Sequence, residues 1–379
     1  MKFTIEAQEG QARCGRLETS HGSVETPAFM PVGTQATVKG ITPEQLRQTG
    51  TQMVLANSYH LMLRPGVKVV ENAGGLAAFM GWNGPTLTDS GGFQIFSLAR
   101  GPQNSRNNSE ESSAPSLIKI DDDGVTFTSH IDGQRIRLTP SEAVDIQNRL
   151  GADIIMALDE CTAYPVSLDE AKAATERTIR WAGQCRQAHK RTDQALFAIV
   201  QGSVFEQLRE HCAEDLVRMD FPGYAVGGLS VGEGQEQMRN VLEVLCPLLP
   251  SDKPRYLMGV GMPQDIVMAV AAGIDMFDCV LPTRNARNGV AFTSDGPIRL
   301  KNLSHKTDTA PLDQHCSCYT CGNFSRSYLR HLALAGEMLS GVLLSIHNLS
   351  FYQSLMSQIR SSIGGGEFRQ FAGKILSKH

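Results

Sequence analysis

The chain is first constrained by what it does not contain. No stretch approaches the roughly 20 consecutive apolar residues that a membrane span requires. The opening residues, MKFTIEAQEG, hold no apolar run of the secretory type. Both absences lead to the expectation of a cytoplasmic protein with no membrane partner. Positive charge is also scarce. A formal net charge of −4 excludes a generally basic nucleic-acid coat, so any nucleic-acid contact has to be local. Of nine cysteines, six are scattered singly, which suits a reducing compartment with one metal site better than a disulfide framework. No repeat of solenoid period and no linker between independent domains is evident. The 379 residues, 41% hydrophobic and 20% charged, describe an ordinary globular chain. They allow one large barrel with an appendage, or roughly two or three smaller units.

Short apolar runs then set a rhythm. They are AFMPV, QMVLAN, PTLTDS, DIIMALDE, LFAIVQG, YAVGG, RYLMGVG and IDMFDCV, too short for surface helices and bounded by turn residues. Helix-like segments alternate with them. Three open on the capping-box pattern, at Thr42 to Gln45, Thr139 to Glu142 and Ser167 to Glu170, two of them with proline at the first helical position. Several stop at glycine, as at Gly50, Gly151 and Gly273. Eight strands alternating with helices predict an irregular (β/α)8 TIM-type barrel over residues 1–300, with its site at the C-terminal strand ends. A doubly wound open sheet is the rival arrangement. Turns at Glu9-Gly10 and His21-Gly22 suggest a small N-terminal hairpin. An insertion over 100–138 reads as a polar, mobile loop at 102–115, then a hairpin about Asp132-Gly133 laid over the barrel. Residues 301–379 read as a zinc-binding, mainly helical subdomain.

The stretch GIDMFDCVLPTRNARNG organises the functional reading. Asp278 lies in a run that reads as a strand covered on both faces, and a carboxylate there costs several kcal/mol unless it is paired or hydrogen-bonded. Pro282 reads as the stop, followed by a polar loop carrying Arg284 and Arg287. From Val280 to His331 seven lysines and arginines face three aspartates, a local basic patch. A structural carboxylate and a solvated face remain the bland alternatives. At the other strand ends stand Asn57, Asp89, Asp159, Gln201, Gly227 with Gly228, and Met258. Asp89, in TDSGG, supplies a second carboxylate. One carboxylate as nucleophile and one as acid/base is the equipment of retaining glycosyl transfer. Asp159, Gln201 and the bare N–H groups of Gly227 and Gly228 suit the edge of a flat heterocycle.

Cys316, Cys318 and Cys321, in CSCYTC, place three soft ligands on one tight turn. His347 can complete a tetrahedral site, in competition with His305, His315 and His331. Four protein ligands close the coordination sphere, so the metal, Zn2+, is structural.

The motifs TDSGGFQ, LDEC, VQGS, GGLSVGE, YLMGVG, FDCVLPTRNARNG and CxCxxC with a downstream histidine together resemble the bacterial tRNA-guanine transglycosylase (queuine tRNA-ribosyltransferase) family over nearly the whole chain. The resemblance implies a homodimer that binds tRNA with a GUN anticodon and exchanges guanine at the wobble position for preQ1, as in queuosine biosynthesis. It implies Asp278 as the nucleophile on ribose C1′ and Asp89 as the general acid/base. Asp159, Gln201 and Gly228 would hold the base, with Tyr59, Phe93 and Met258 packed around it. Glu233 would support the Leu229 peptide, and Arg284 and Arg287 would grip the tRNA. One structural zinc per chain would sit on Cys316, Cys318, Cys321 and His347. Val231 and Cys161 are expected to set which base is accepted, a β-branched side chain leaving room for an aminomethyl arm but not for a ring. The insertion at 102–115 is longer than the family's usual connection. A barrel enzyme acting on a free nucleoside or sugar, and a non-catalytic tRNA-binding subunit, are the competing classes; the first has no use for Arg284 and Arg287, the second none for both Asp89 and Asp278.

Overall fold

A computed structural model describes residues 1–99 and 118–377. All eight apolar runs form parallel strands: β1 (Ala28–Pro31), β2 (Val54–Ala56), β3 (Thr86–Thr88), β4 (Ile154–Met156), β5 (Ala195–Val200), β6 (Tyr224–Val226), β7 (Arg255–Leu257) and β8 (Met276–Cys279). They pair in chain order, and β8 returns to β1. A parallel bridge between Val32 and Leu55, with the Gly33 N–H donating to the Leu55 carbonyl at 2.6 Å, joins β1 to β2 and closes the barrel. The period-two alternation of a strand decides what fills it. In β5, Phe197 and Ile199 enter the interior with Met30, Met156 and Tyr256, while Leu196, Ala198 and Val200 face the helical layer. The interior is therefore a packed core, and only the strand ends are available for chemistry.

All three capping boxes form, with Thr42, Thr139 and Ser167 accepting from the backbone N–H three residues on. Gly151 stops its helix in the left-handed conformation at φ 76°. The N-terminal hairpin is in fact a three-stranded antiparallel sheet, Lys2–Glu9, Ala12–Thr19 and Gly22–Thr26, because both expected turns form and the second adds a further strand. Its Leu17 and Val24 seal the end of the barrel opposite the site. Buried Arg13 pairs there with buried Asp275 at 2.6 Å, just before β8.

The inserted hairpin about Asp132-Gly133 is present as Gly124–Thr128 and Arg135–Leu138, extended by Ile118–Asp121 into three strands. Val125, Phe127 and Leu138 join the main core, and the Trp181 indole donates to the Asp122 carbonyl at 2.8 Å. The loop read at 102–115 lies outside the described residues. A second correction concerns Pro282. The expected polar loop is a helix, Leu281–Arg287. In its first turn proline lacks only a donor that would be orphaned anyway, and its fixed φ suits the helix. Buried Pro282, Thr283 and Ala286 give it an inward face.

Residues after the barrel strands form helices Tyr319–Asn323, Arg326–Ala335, Met338–Gly364 and Phe368–Leu376. A small core of Ala286, Leu300, Leu312, Leu329, Leu332, Leu343 and Leu344 holds the cysteine-bearing region to the helix after β8. The long helix runs on from there, and Tyr352, Met356 and Ile359 join the main core. No helix among the described residues is long and apolar enough to cross a membrane.

Candidate active site

Parallel strands in one closed barrel aim their C-terminal ends at one mouth. Asp278, the third residue of β8, is partly open to that mouth. Its Oδ1 accepts from the Tyr256 hydroxyl at 2.5 Å and from the Gly259 N–H at 2.9 Å. Both bonds fall on Oδ1, which leaves Oδ2 without a hydrogen-bond partner among the described residues. Burial raises the Asp278 pKa above its ordinary value and the charge of Asp89 adds to this, while Tyr256 and Gly259 oppose it.

Asp89 follows β3 and is buried. Its Oδ2 accepts from Asn57 Nδ2 at 2.5 Å and Gln94 Nε2 at 2.7 Å, and its Oδ1 from the Ser58 N–H at 2.9 Å and the Ser58 hydroxyl at 3.3 Å. Asn57 occupies the cap position of helix Ser58–Leu63 yet makes no side-chain cap, because its amide is turned to Asp89. Burial still raises the Asp89 pKa against these four bonds. Every donor is neutral, so neither carboxylate is held by an ion pair, and each can change protonation state during a reaction.

Asp159, beyond β4, accepts from Gln201 Nε2 at 2.7 Å and from the Ser90 hydroxyl at 3.2 Å, and burial pushes its pKa up to about 6. Gln201 lies across the two glycines that follow β6. A Cβ on Gly227 would stand 2.7 Å from Gln201 Nε2, and one on Gly228, at φ +66°, would collide with Gln201 Oε1. Of the two N–H groups expected to be bare, that of Gly227 is spent on the Val200 carbonyl at 3.1 Å, because the β5 to β6 ladder runs on to that residue. Glu233 accepts from the Ser230 N–H, and from the Val231 N–H at 2.9 Å. It therefore holds the peptide whose carbonyl belongs to buried Leu229 and turns that carbonyl the other way.

Cys161 is buried, Val231 is half-buried, and Met258 packs partly buried on the barrel core. Phe93 is 52% exposed at the start of helix Gly92–Ala99. Tyr59 is buried against Phe127, with its hydroxyl 2.9 Å from His130 Nδ1. Arg284 and Arg287 are exposed on the helix after β8.

The metal-ligating set converges. The ligand atoms of Cys316, Cys318, Cys321 and His347 lie within 4.8 Å of one another. The fold selects His347 among the competing histidines: its Nε2 meets the Phe292 carbonyl at 2.7 Å, so Nδ1 faces the thiols. A carbonyl on the far nitrogen is the usual orienting partner of a ligating imidazole. The donor set fits a tetrahedral structural metal. Contacts from Cys316 and Cys321 hold the Cys318 thiol well below its ordinary pKa.

Sequence reasoning did not find Tyr256, Ser58, Ser90 or Gln94. Tyr256 alone carried a signal, a tyrosine at an inward position of a barrel strand. The others are ordinary polar residues that only the fold brings to a carboxylate.

A family model described as queuine tRNA-ribosyltransferase matches residues 8–379. The chain is 54% identical to the queuine tRNA-ribosyltransferase of Desulforamulus reducens, over 96% of this chain and 94% of that one. It is 52% identical to that of Zymomonas mobilis, over 100% and 95%, and 50% identical to that of Idiomarina loihiensis, over 98% and 95%.

Proposed function

The chain belongs to the queuine tRNA-ribosyltransferase family, and from that premise we propose that it exchanges guanine at the wobble position of tRNA for preQ1 by double displacement. The observation that carries this reading is the pair of desolvated carboxylates at the ends of β8 and β3, each held only by neutral donors. Asp278 Oδ2 attacks ribose C1′ as the bond to the base breaks. The base leaves with that electron pair and takes a proton from Asp89, whose raised pKa suits it to carry one. The incoming base then returns a proton to Asp89, and its nitrogen attacks C1′ to release Asp278. Asp159, Gln201 and Gly228 hold the base edge, with Phe93 and Met258 about it. The Leu229 carbonyl, oriented through Glu233, accepts from the aminomethyl cation of preQ1. Cys161 and Val231 bound the space beyond that arm.

The target base has to leave the anticodon loop, where unstacking costs little. Exposed Arg284 and Arg287 beside Asp278 meet the backbone of a tRNA with a GUN anticodon. Residues 301–379 serve as the zinc-bound unit. There Cys316, Cys318, Cys321 and His347 would hold Zn2+, whose closed coordination supplies cross-linking and no catalysis. The enzyme works as a cytoplasmic homodimer. The test is incorporation of radiolabelled guanine into unmodified tRNA by the purified protein. Incorporation confined to tRNA with a GUN anticodon is expected, and none at all would overturn the reading.

A further inference from the structure

Behind the base-holding groups lies a cation that the reaction above does not use. Arg209, on helix Glu206–Arg218, is completely buried, although arginines are seldom sealed in without a carboxylate. Its hydrogen bonds go to two carbonyls, from Nε to Ser203 at 2.7 Å and from Nη1 to Val200 at 2.8 Å. These two bonds clamp the turn that carries Gln201. Nη2 has no protein partner among the described residues. Burial pushes the Arg209 pKa down to about 10, which leaves the group charged at neutral pH.

The place of that unpaired N–H group is specific. Nη2 lies 3.5 Å from where a Cβ of Gly228 would stand, and Gln201 Oε1 lies against the same point. Guanidinium and amide oxygen therefore flank one face of Gly228. The other end of the amide, Nε2, donates to Asp159 at 2.7 Å. A primary amide fits its slot in two orientations that exchange oxygen and nitrogen. Asp159 favours the observed one only while ionised, since a protonated carboxyl can meet either end. A fixed positive charge favours the amide oxygen on its own side at any working pH.

We propose that Arg209 is a positioning residue: it fixes the orientation of the Gln201 amide, and so makes the pocket select a base whose edge carries a carbonyl rather than an amino group. With Oε1 turned toward Arg209, Gln201 offers the pocket only N–H. That donor meets a carbonyl oxygen well and an amino group badly. This inference rests on the reading of Asp159, Gln201 and Gly228 as the base site.

The experiment compares guanine with 2,6-diaminopurine as competitors of labelled-guanine exchange into tRNA. In Arg209→Met the preference for guanine should narrow by about tenfold, the scale of one hydrogen bond, with the KM for tRNA unchanged. The difference between the two bases at N1 is common to both enzymes and cancels. Arg209→Lys, which keeps the charge, should retain most of the preference. Should Arg209→Met not fold, Arg209→Gln removes the charge while keeping a donor, and the same ratio is read. Equal weakening of both bases in the neutral variant, or an unchanged ratio, would overturn the proposal, as would Arg209→Lys losing as much preference as the neutral variant. Gln201→Leu separates the two levels. If it leaves guanine exchange untouched, the base-site reading fails; if it weakens guanine while the neutral Arg209 variant keeps the wild-type ratio, only the role of Arg209 fails.

Discussion

Tyr256 donates its hydroxyl to Oδ1 of Asp278 at 2.5 Å, from the adjacent strand. The bond opposes the rise in the Asp278 pKa that burial causes. Removing it in Tyr256→Phe therefore pushes that pKa higher, and a smaller fraction is ionised at acid pH. The acidic limb of the exchange rate should move to higher pH. Below neutral pH the rate should fall by about tenfold or more, the scale of a hydrogen bond to a charged group. An unmoved acidic limb would show that this bond does not control the ionisation that matters.

A second pH dependence belongs to Asp159, whose pKa burial pushes up to about 6. At the proposed base site a guanine edge would present N–H donors to Asp159, which need the ionised carboxylate. The KM for the base should therefore rise as pH falls through 6, approaching about tenfold per unit well below it. For stability the sign is opposite. A raised carboxyl pKa means that the folded chain binds the proton more tightly, so this contribution is present at pH values below the ordinary 3.8 and is lost as pH rises through 6. Asp159→Asn should thus weaken base binding and yet unfold in urea at neutral pH no more readily than wild type. Unfolding at clearly lower urea would contradict this.

The cysteine cluster gives a metal prediction. Elemental analysis should find about one zinc per chain. Cys318→Ser or strong chelation should loosen the small core around Leu312, Leu329 and Leu343, seen as hydrogen exchange confined to that region, with tRNA binding weakened. A folded, active protein free of metal would refute the site.

A further prediction concerns Val231 and which base is used. It is half-buried, and its N–H is tied to Glu233 at 2.9 Å. Its β-branched side chain should admit the aminomethyl arm of preQ1 and exclude a cyclopentenediol ring at about 1 to 3 kcal/mol. Wild type should use preQ1 well and queuine poorly, and Val231→Gly should narrow that gap. Competition of each base against labelled guanine measures it; equal inhibition of wild type by both would remove Val231 from this role.

Much of this was legible in the chain because the signals were local. Strand ends at Asn57, Asp89, Asp159, Gln201, Gly228 and Asp278 could be read from short apolar runs, and Thr42, Thr139 and Ser167 from capping spacing. What escaped depends on distance in sequence. Tyr256 meets Asp278 only because β7 lies beside β8, and Arg209 looks like a surface residue of a polar helix until the turn at Val200 to Ser203 folds over it. Pro282 reads as a stop after a strand, and only the packing of Ala286 shows that it begins a helix. Four histidines competed for the metal, and the Phe292 carbonyl decides for His347.

The most direct test of the double displacement is to mix protein with unmodified tRNA and separate the mixture under denaturing conditions. Wild type should give a protein–RNA adduct that survives denaturation. Asp278→Ala should give none while still binding tRNA under native conditions. An adduct of equal yield in Asp278→Ala would contradict the assignment of Asp278 as the nucleophile.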